Sequence, residues 1–241
     1  MATCLLFYLR YPEAGKVKSR LAADTSPELA AVFYNAFVAD SLREILKTGL
    51  DVMVCYTPDK GLSDYKTWLA DLVEGCTAGE ECPAVDSNTF LYHEQRGKNI
   101  GERMYNGMLY AFQKGYDKVL VVGSDIPTLT SEDYLAGAEA LEEHGVCIGP
   151  AEDGGYYMIG FQKEQWQGDV FSDIPWSTDR VLTKTVSCLC RHGKQPYLLK
   201  TRSDIDLWSD LQDQVFSEGI ARESYTAKAY REYLAGKRAL H

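Results

Sequence analysis

The chain has no apolar run approaching the length needed to span a bilayer. Positive charge is scarce, and the formal net charge is -10, which argues against a nucleic-acid footprint, where a basic face is expected. Its opening stretch, "MATCLLFYLRYPEAG", lacks a basic leader and a small-residue cleavage pattern, so it reads as a first strand and not a signal peptide. The expectation is therefore a cytoplasmic protein with no membrane partner. The seven cysteines are odd in number and lack zinc-site spacing, both at Cys76 and Cys82 in "EGCTAGEECPAVDS" and at Cys188 and Cys190 in "SCLCRHG". They read as reduced, mostly buried thiols. His93, His144, His192 and His241 show no pairing at ligand spacing, so no histidine metal centre is expected. Neither G-x-x-x-x-G-K-[ST] nor G-x-G-x-x-G follows the first strand, so a P-loop kinase and a Rossmann dehydrogenase both lose ground.

What remains is ordinary globular composition, 45% hydrophobic and 25% charged over 241 residues. No internal repeat or compositional break appears, so residues 1–241 are expected to form a single domain, with 217–241 a helical tail. Apolar, β-prone runs alternate with helix-length segments. Strands are expected at Thr3–Leu9, Asp51–Thr57, "NTFLYHEQ" and "DKVLVVGSD", and two more within "VCIGPAEDGGYYMIGF". The segment "SPELAAVFYNAFVADSLREILKTG" reads as a long helix with Ser26 at its N-cap, Pro27 at N1 and Gly49 past its end. Further helices are expected in "SDYKTWLADLV" opened by Ser63, in "ERMYNGMLYAFQKG", in "SEDYLAGAEALEEHG", and in "STDRVLTKTVSCLCRHG" capped by Ser177 or Thr178. Strands separated by helical crossovers imply a three-layer α/β/α protein with a mostly parallel sheet.

Against the acidic background, "RYPEAGKVKSRL" gathers Arg10, Lys16, Lys18 and Arg20 with Gly15 in one loop after the first strand. Several cations and free N–H groups could converge there on phosphate oxygens, or the loop could simply be solvated. In "VVGSDIPTLT", Pro127 closes a buried strand and leaves Asp125 at its carboxyl end, the edge where open α/β sheets bind ligands. Asp125 there is a metal or substrate ligand, or a cap for the next turn. "KNIGERMYNG" places Gly101, Glu102 and Arg103 at a helix start, and such ends attract anions. "AEDGG" sets Asp153 before Gly154 and Gly155, which suits close backbone approach to a ligand or a tight hairpin. Trp176 in "IPWST" can stack on a sugar or cover the core. In "TRSDIDLWSDL", Asp206 either caps a helix or joins Asp125 in a hard-cation site with substrate phosphates, while Asp204 lies two positions before it.

Taken in order, "LRYPEAGKVKSRL", "IGERM", "GSDIPTLT", "IGPAEDGGYYMIGF" and "IPWSTDRVL" resemble a bacterial family of GT-A-type nucleotide-diphospho-sugar transferases, once grouped as a domain of unknown function. That family is similar to phospholactate and molybdenum cofactor guanylyltransferases. Its members usually carry lysine at the position of Arg10 and threonine at that of Ser19. The resemblance implies a GT-A fold on a mixed sheet. It implies nucleotide binding by Arg10, Gly15, Lys16, Lys18, Arg20, Gly101, Glu102 and Arg103, and Mg²⁺ or Mn²⁺ on Asp125, with Asp206 the candidate second carboxylate from the residue reading above. It sets Asp153 with Gly154 and Gly155 at the acceptor side and Trp176 and Ser177 in a substrate loop; Asp153, as base for an acceptor hydroxyl in an inverting reaction, and Lys18 are the catalytic candidates. The partners implied are a nucleotide-sugar or NTP donor and a small-molecule acceptor. Glycosyl transfer leads, because the pyrophosphorylase loop G-x-G-x-R-M is absent. Nucleotidyl transfer with release of pyrophosphate stands beside it, and a nucleotide-binding module without turnover is the third reading.

Overall fold

The computed structural model describes residues 2–77, 90–166, 168–217 and 219–238. The first strand, β1 (Thr3–Leu9), alternates its side chains between two cores, as a strand buried on both faces must. Leu5, Phe7 and Leu9 enter one core with α2 (Pro27–Lys47), α3 (Leu62–Thr77) and α5 (Ser131–His144). Cys4, Leu6 and Tyr8 enter the other with α4 (Ile100–Gln113) and α6 (Val181–Arg191). The chain is thus a three-layer α/β/α protein. A third cluster forms outside α2, where Phe33 and Phe37 meet Leu211 of α7 (Trp208–Phe216) and Tyr230 of α8 (Tyr225–Arg238).

The remaining strands are β2 (Asp51–Tyr56), β3 (Leu91–Glu94), β4 (Lys118–Val122), β5 (Val146–Pro150), β6 (Tyr156–Gln162) and β7 (Tyr197–Leu198). Among the described residues they form one sheet in the order β3-β2-β1-β4-β6-β5-β7. β1 pairs in parallel with β2 and with β4, so Leu6 lies between Met53 and Val121. β6 runs antiparallel to both β4 and β5, which makes the sheet mixed. Strand order reverses at β1, and the β1/β4 boundary is therefore the topological switch point.

Several local expectations hold and others shift. Ser26 Oγ accepts from the Leu29 amide at 3.1 Å with Pro27 following it, and Gly49 takes φ 67° beyond the helix end. The basic loop contains a short helix that the reading did not anticipate, α1 (Ser19–Asp24). α3 begins one residue before Ser63 and runs through Thr77, past the segment expected. The third strand begins at Leu91; Asn88, Thr89 and the loop that carries Cys82 lie outside the described residues. α6 begins at Val181, because Ser177 takes a left-handed φ of 63° and Thr178 Oγ1 is engaged by Pro175 and Arg180 in the preceding turn. In the tail the helix spans Tyr225–Arg238, with Glu218 and residues 239–241 outside the described residues. Its amino terminus is held by Asp40 of α2, whose carboxylate accepts from Tyr225 and Thr226 amides at 2.8 and 2.9 Å. Burial raises the Asp40 pKa although those bonds and Arg43 oppose the shift. No helix among the described residues is long and apolar enough to cross a membrane.

Candidate active site

At the switch point the carboxyl ends of β1 and β4 open into a cleft of about 500 Å³. Its walls are tied together by side chains from outside the sheet. Tyr34 of α2 accepts the Arg10 amide at 2.9 Å and shares a 2.8 Å hydrogen bond with Ser124, so the loops after β1 and β4 meet on one buried hydroxyl. Burial drives the Tyr34 pKa upward and keeps that hydroxyl neutral. Gln95, buried, donates to Leu9 and Cys55 carbonyls at 3.2 and 2.8 Å, fixing the ends of β1 and β2. The Ile205 amide donates to the Asp125 carbonyl at 3.1 Å, and this brings Asp206 from a distant segment to the side of Asp125.

Lys18 sits between those two carboxylates. Its backbone is left-handed, φ 46°, at the start of α1, and its side chain is only 5% exposed. Nζ lies 2.6 Å from Asp125 Oδ1 and 3.2 Å from Asp206 Oδ1, while Arg20 reaches Asp206 Oδ2 at 3.3 Å. Burial alone would lower the Lys18 pKa, but the charges of Asp125 and then Asp206 outweigh it and leave it raised. Asp206 is not the cap of α7: the Asp210 carboxylate accepts the Asp206 and Leu207 amides, which leaves the Asp206 carboxylate to the two cations. Asp204 lies close by, its pKa pushed up to about 6 by burial and then by the charges of Asp206 and Asp153.

Arg10, Lys16, Lys18, Arg20 and Arg103 all line this cleft with Asp125 and Asp206. Gly15 does not; at φ 78° it serves the turn before Lys16, whose amide donates to Glu13. Gly101 faces away from the cleft, and a Cβ there would lie 2.5 Å from the Trp176 ring, so its smallness seats the indole against α4. Glu102 and Asn99 cap α4 reciprocally through the Lys98 and Glu102 amides. Asp153 Oδ1 accepts the Gly155 amide at 2.8 Å and borders a smaller cavity of about 200 Å³ with Asp125, Asp204 and Tyr156. Gly154, φ 86°, leaves room for the Asp179 backbone, whose oxygen a Cβ would approach to 2.2 Å. Trp176 lines a separate cavity, and Ser177 is exposed nearby. Tyr34, Ser124, Gln95 and Tyr156 escaped the sequence reading. Ser124 adjoins Asp125 and could have been found; the tyrosines look like core residues until the fold places their hydroxyls.

The donor set suits a hard divalent cation. Asp125 and Asp206 each point an oxygen at the same ammonium, so two hard oxygen donors from remote segments converge on one cationic position. No group of three His, Cys, Asp or Glu side chains that could hold a metal occurs among the described residues. Two carboxylates completed by phosphate oxygens and water are nonetheless the usual Mg²⁺ pattern.

Residues 41–178 match the model of a family described as "Uncharacterized protein conserved in bacteria (DUF2064)". A crystal structure from Desulfovibrio desulfuricans G20, of a protein provisionally named a nucleotide-diphospho-sugar transferase, is 34% identical, with 98% of this chain and 96% of that chain covered at a TM-score of 0.85. At the level of fold alone, a cytidylyltransferase from Leptospira borgpetersenii matches at 12% identity and TM-score 0.52, covering 98% of this chain and 96% of its own. The 4-diphosphocytidyl-2C-methyl-D-erythritol synthase from Anaerococcus prevotii matches at 11% identity and TM-score 0.51, covering 90% and 96%. No curated protein matches the chain. The fold is the GT-A-like fold of nucleotidyl and sugar transferases.

Proposed function

The chain belongs to the DUF2064 family of bacterial proteins, and from that premise and the geometry of the cleft we propose that it is a transferase using a nucleotide-activated donor, transferring the sugar of a nucleotide-diphospho-sugar. One observation carries the reading: cations from the loop after β1 and two carboxylates from remote segments converge at the switch point. Lys16, Arg20, Arg10 and Arg103 hold the donor's phosphates, and Lys18 moves from the carboxylates toward those oxygens as they enter. Asp125 and Asp206 would hold Mg²⁺ or Mn²⁺, which when bound neutralises charge on the departing diphosphate. Asp153 borders the acceptor side and takes the proton of an acceptor hydroxyl, with its orientation fixed by the Gly155 amide.

A second reading, attack on an α-phosphate with pyrophosphate leaving, draws on one observation: five cationic side chains line the cleft against two carboxylates, which suits a triphosphate. The test is to incubate the protein with UDP-, GDP- and ADP-sugars, and separately with NTPs, each with Mg²⁺ or Mn²⁺, and to assay nucleoside diphosphate and pyrophosphate independently. Nucleoside diphosphate from a sugar nucleotide supports the first reading. Pyrophosphate from an NTP supports the second. Nucleotide binding without either product removes turnover and leaves a binding module.

A further inference from the structure

Gln95 follows β3 and is only 7% exposed, yet it lines the nucleotide cleft. Its backbone amide donates to the Tyr56 carbonyl at 2.8 Å, which fixes it to the end of β2. Both hydrogens of its side-chain amide are directed inward, because Nε2 donates to the Leu9 and Cys55 carbonyls at 3.2 and 2.8 Å. A flipped amide would set Oε1 against those two carbonyl oxygens, acceptor against acceptor, so chemistry forces the orientation. Oε1 is therefore an acceptor that cannot turn into a donor. It has no partner among the described residues, and unlike the hydroxyls of Tyr134 and Tyr156 it is not sealed inside the protein. The space it meets is the cleft.

The sheet separates this oxygen from the charged end of the cleft. In the order β2-β1-β4 the ends of β2 and β4 lie two strand spacings apart, about 10 Å. Lys18, Arg20, Asp125 and Asp206 gather beyond β4, where the phosphates are assigned. Gln95 stands at the β2 end, and its lone pairs repel phosphate oxygen. Next to it α4 is tied to the loop after β3, because Arg103 and Asn106 donate to the Gly97 and Arg96 carbonyls at 3.2 and 2.8 Å. Ile100, in the first turn of α4, lines the cleft with 40% of its surface exposed and gives it an apolar wall.

We infer that the β2 end of the cleft is the nucleoside subsite, and that Gln95 Oε1 reads the base by accepting a hydrogen bond from one of its edge N–H groups. The inference deepens the transferase reading above and rests on it. A nucleobase presents N–H donors on its edge and apolar faces above and below, which match the fixed oxygen and the isoleucine wall. A base whose edge N–H is blocked leaves the buried oxygen unpaired and is rejected for that reason.

The experiment titrates the chain calorimetrically with UDP, GDP, CDP and ADP. Each nucleotide that binds is then compared with its methylated form: 3-methyl-UDP, 1-methyl-GDP, or the dimethylamino analogues of GDP, CDP and ADP. Methylation at the N–H that Gln95 reads should weaken binding at least roughly tenfold. In Gln95→Met, its fold checked by circular dichroism, parent and methylated nucleotide should bind within about threefold of each other, because methionine offers no oxygen to leave unpaired. A second readout uses the wild type alone. The carbon-13 shift of the Gln95 side-chain carbonyl should move with the parent nucleotide and stay still with pyrophosphate, which fills only the phosphate end; this shift decides if Gln95→Met does not fold. Every methylated nucleotide binding as well as its parent, discrimination unchanged in folded Gln95→Met, or a Gln95 carbonyl that ignores the nucleotide overturns the inference. Sensitivity to 2′- or 3′-deoxynucleotides with indifference to base methylation gives the oxygen to the ribose and overturns it likewise. A chain that binds nucleotide but fails these tests loses this inference alone, and one that binds no nucleotide loses the functional reading as well.

Discussion

Replacing Lys18 by methionine removes the ammonium that lies 2.6 Å from Asp125 and 3.2 Å from Asp206 while keeping most of the buried stem. In the nucleotide-free protein that ammonium neutralises the pair which the account assigns to a dication. A dication on the same oxygens would sit about 4 Å from Nζ, where two unit charges repel by about 1 kcal/mol in water and about 4 kcal/mol at an effective dielectric of 20. For a doubly charged ion the range is about 2 to 8 kcal/mol. Asp125 and Asp206 are 52% and 42% exposed, so solvent screening favours the lower end. About 2 kcal/mol corresponds to roughly thirtyfold in affinity. Lys18→Met should therefore bind Mn²⁺ without nucleotide at least roughly tenfold more tightly than the wild type, as read by water-proton relaxation or calorimetry. In the wild type, nucleotide should strengthen Mn²⁺ binding by drawing the ammonium to the phosphates, and the variant should lose most of that coupling. Unchanged or weaker nucleotide-free Mn²⁺ binding in Lys18→Met refutes the reasoning, because the ammonium would then not compete for the carboxylates.

Gly101→Ala places a Cβ 2.5 Å from the Trp176 ring and should cost about 1–3 kcal/mol by forcing the indole outward; chemical denaturation with no loss of stability contradicts that packing. Tyr34→Phe strands the Arg10 amide and the Ser124 hydroxyl. It should cost about 1–3 kcal/mol and weaken nucleotide binding, and wild-type behaviour in both would remove Tyr34 as the tie between the loops. Asp40→Ala uncaps α8 and should destabilise by about 1–2 kcal/mol. Because the folded pKa of Asp40 is raised above its free value of 3.8, its ionisation opposes folding, so the stability it contributes is greatest below that value and declines as pH rises through the folded pKa. The cost of Asp40→Ala should accordingly be larger at pH 4 than at pH 7, and a thermal-denaturation series with the opposite trend contradicts the burial argument.

Periodicity and punctuation carried most of the fold because both are local. Ser26, Pro27 and Gly49 bracket α2 in the sequence as they do in the structure, and β1 occupies Thr3–Leu9 as its β-prone run implies. Less legible were residues with two options, between which a distant partner decides. Asp206 is a plausible helix cap by sequence, yet Asp210 takes the amides while Asp206 turns to Lys18 and Arg20, some 190 positions away in the chain. The same limit hid Tyr34, whose helical spacing marks it as core and whose hydroxyl acquires meaning only when β4 brings Ser124 beside it. Gly101 shows the converse. A glycine at a helix start suits an anion, and in the fold the space it leaves also seats an aromatic ring from 75 residues later.

The most direct measurement is a crystal structure of the chain grown with Mn²⁺ and a nucleoside diphosphate. The account predicts phosphates between Lys16, Arg20 and the β1 end, Mn²⁺ on Asp125, and the Lys18 ammonium withdrawn from Asp206 toward phosphate oxygen. Phosphates bound elsewhere, or a metal whose ligands exclude Asp125, would contradict it.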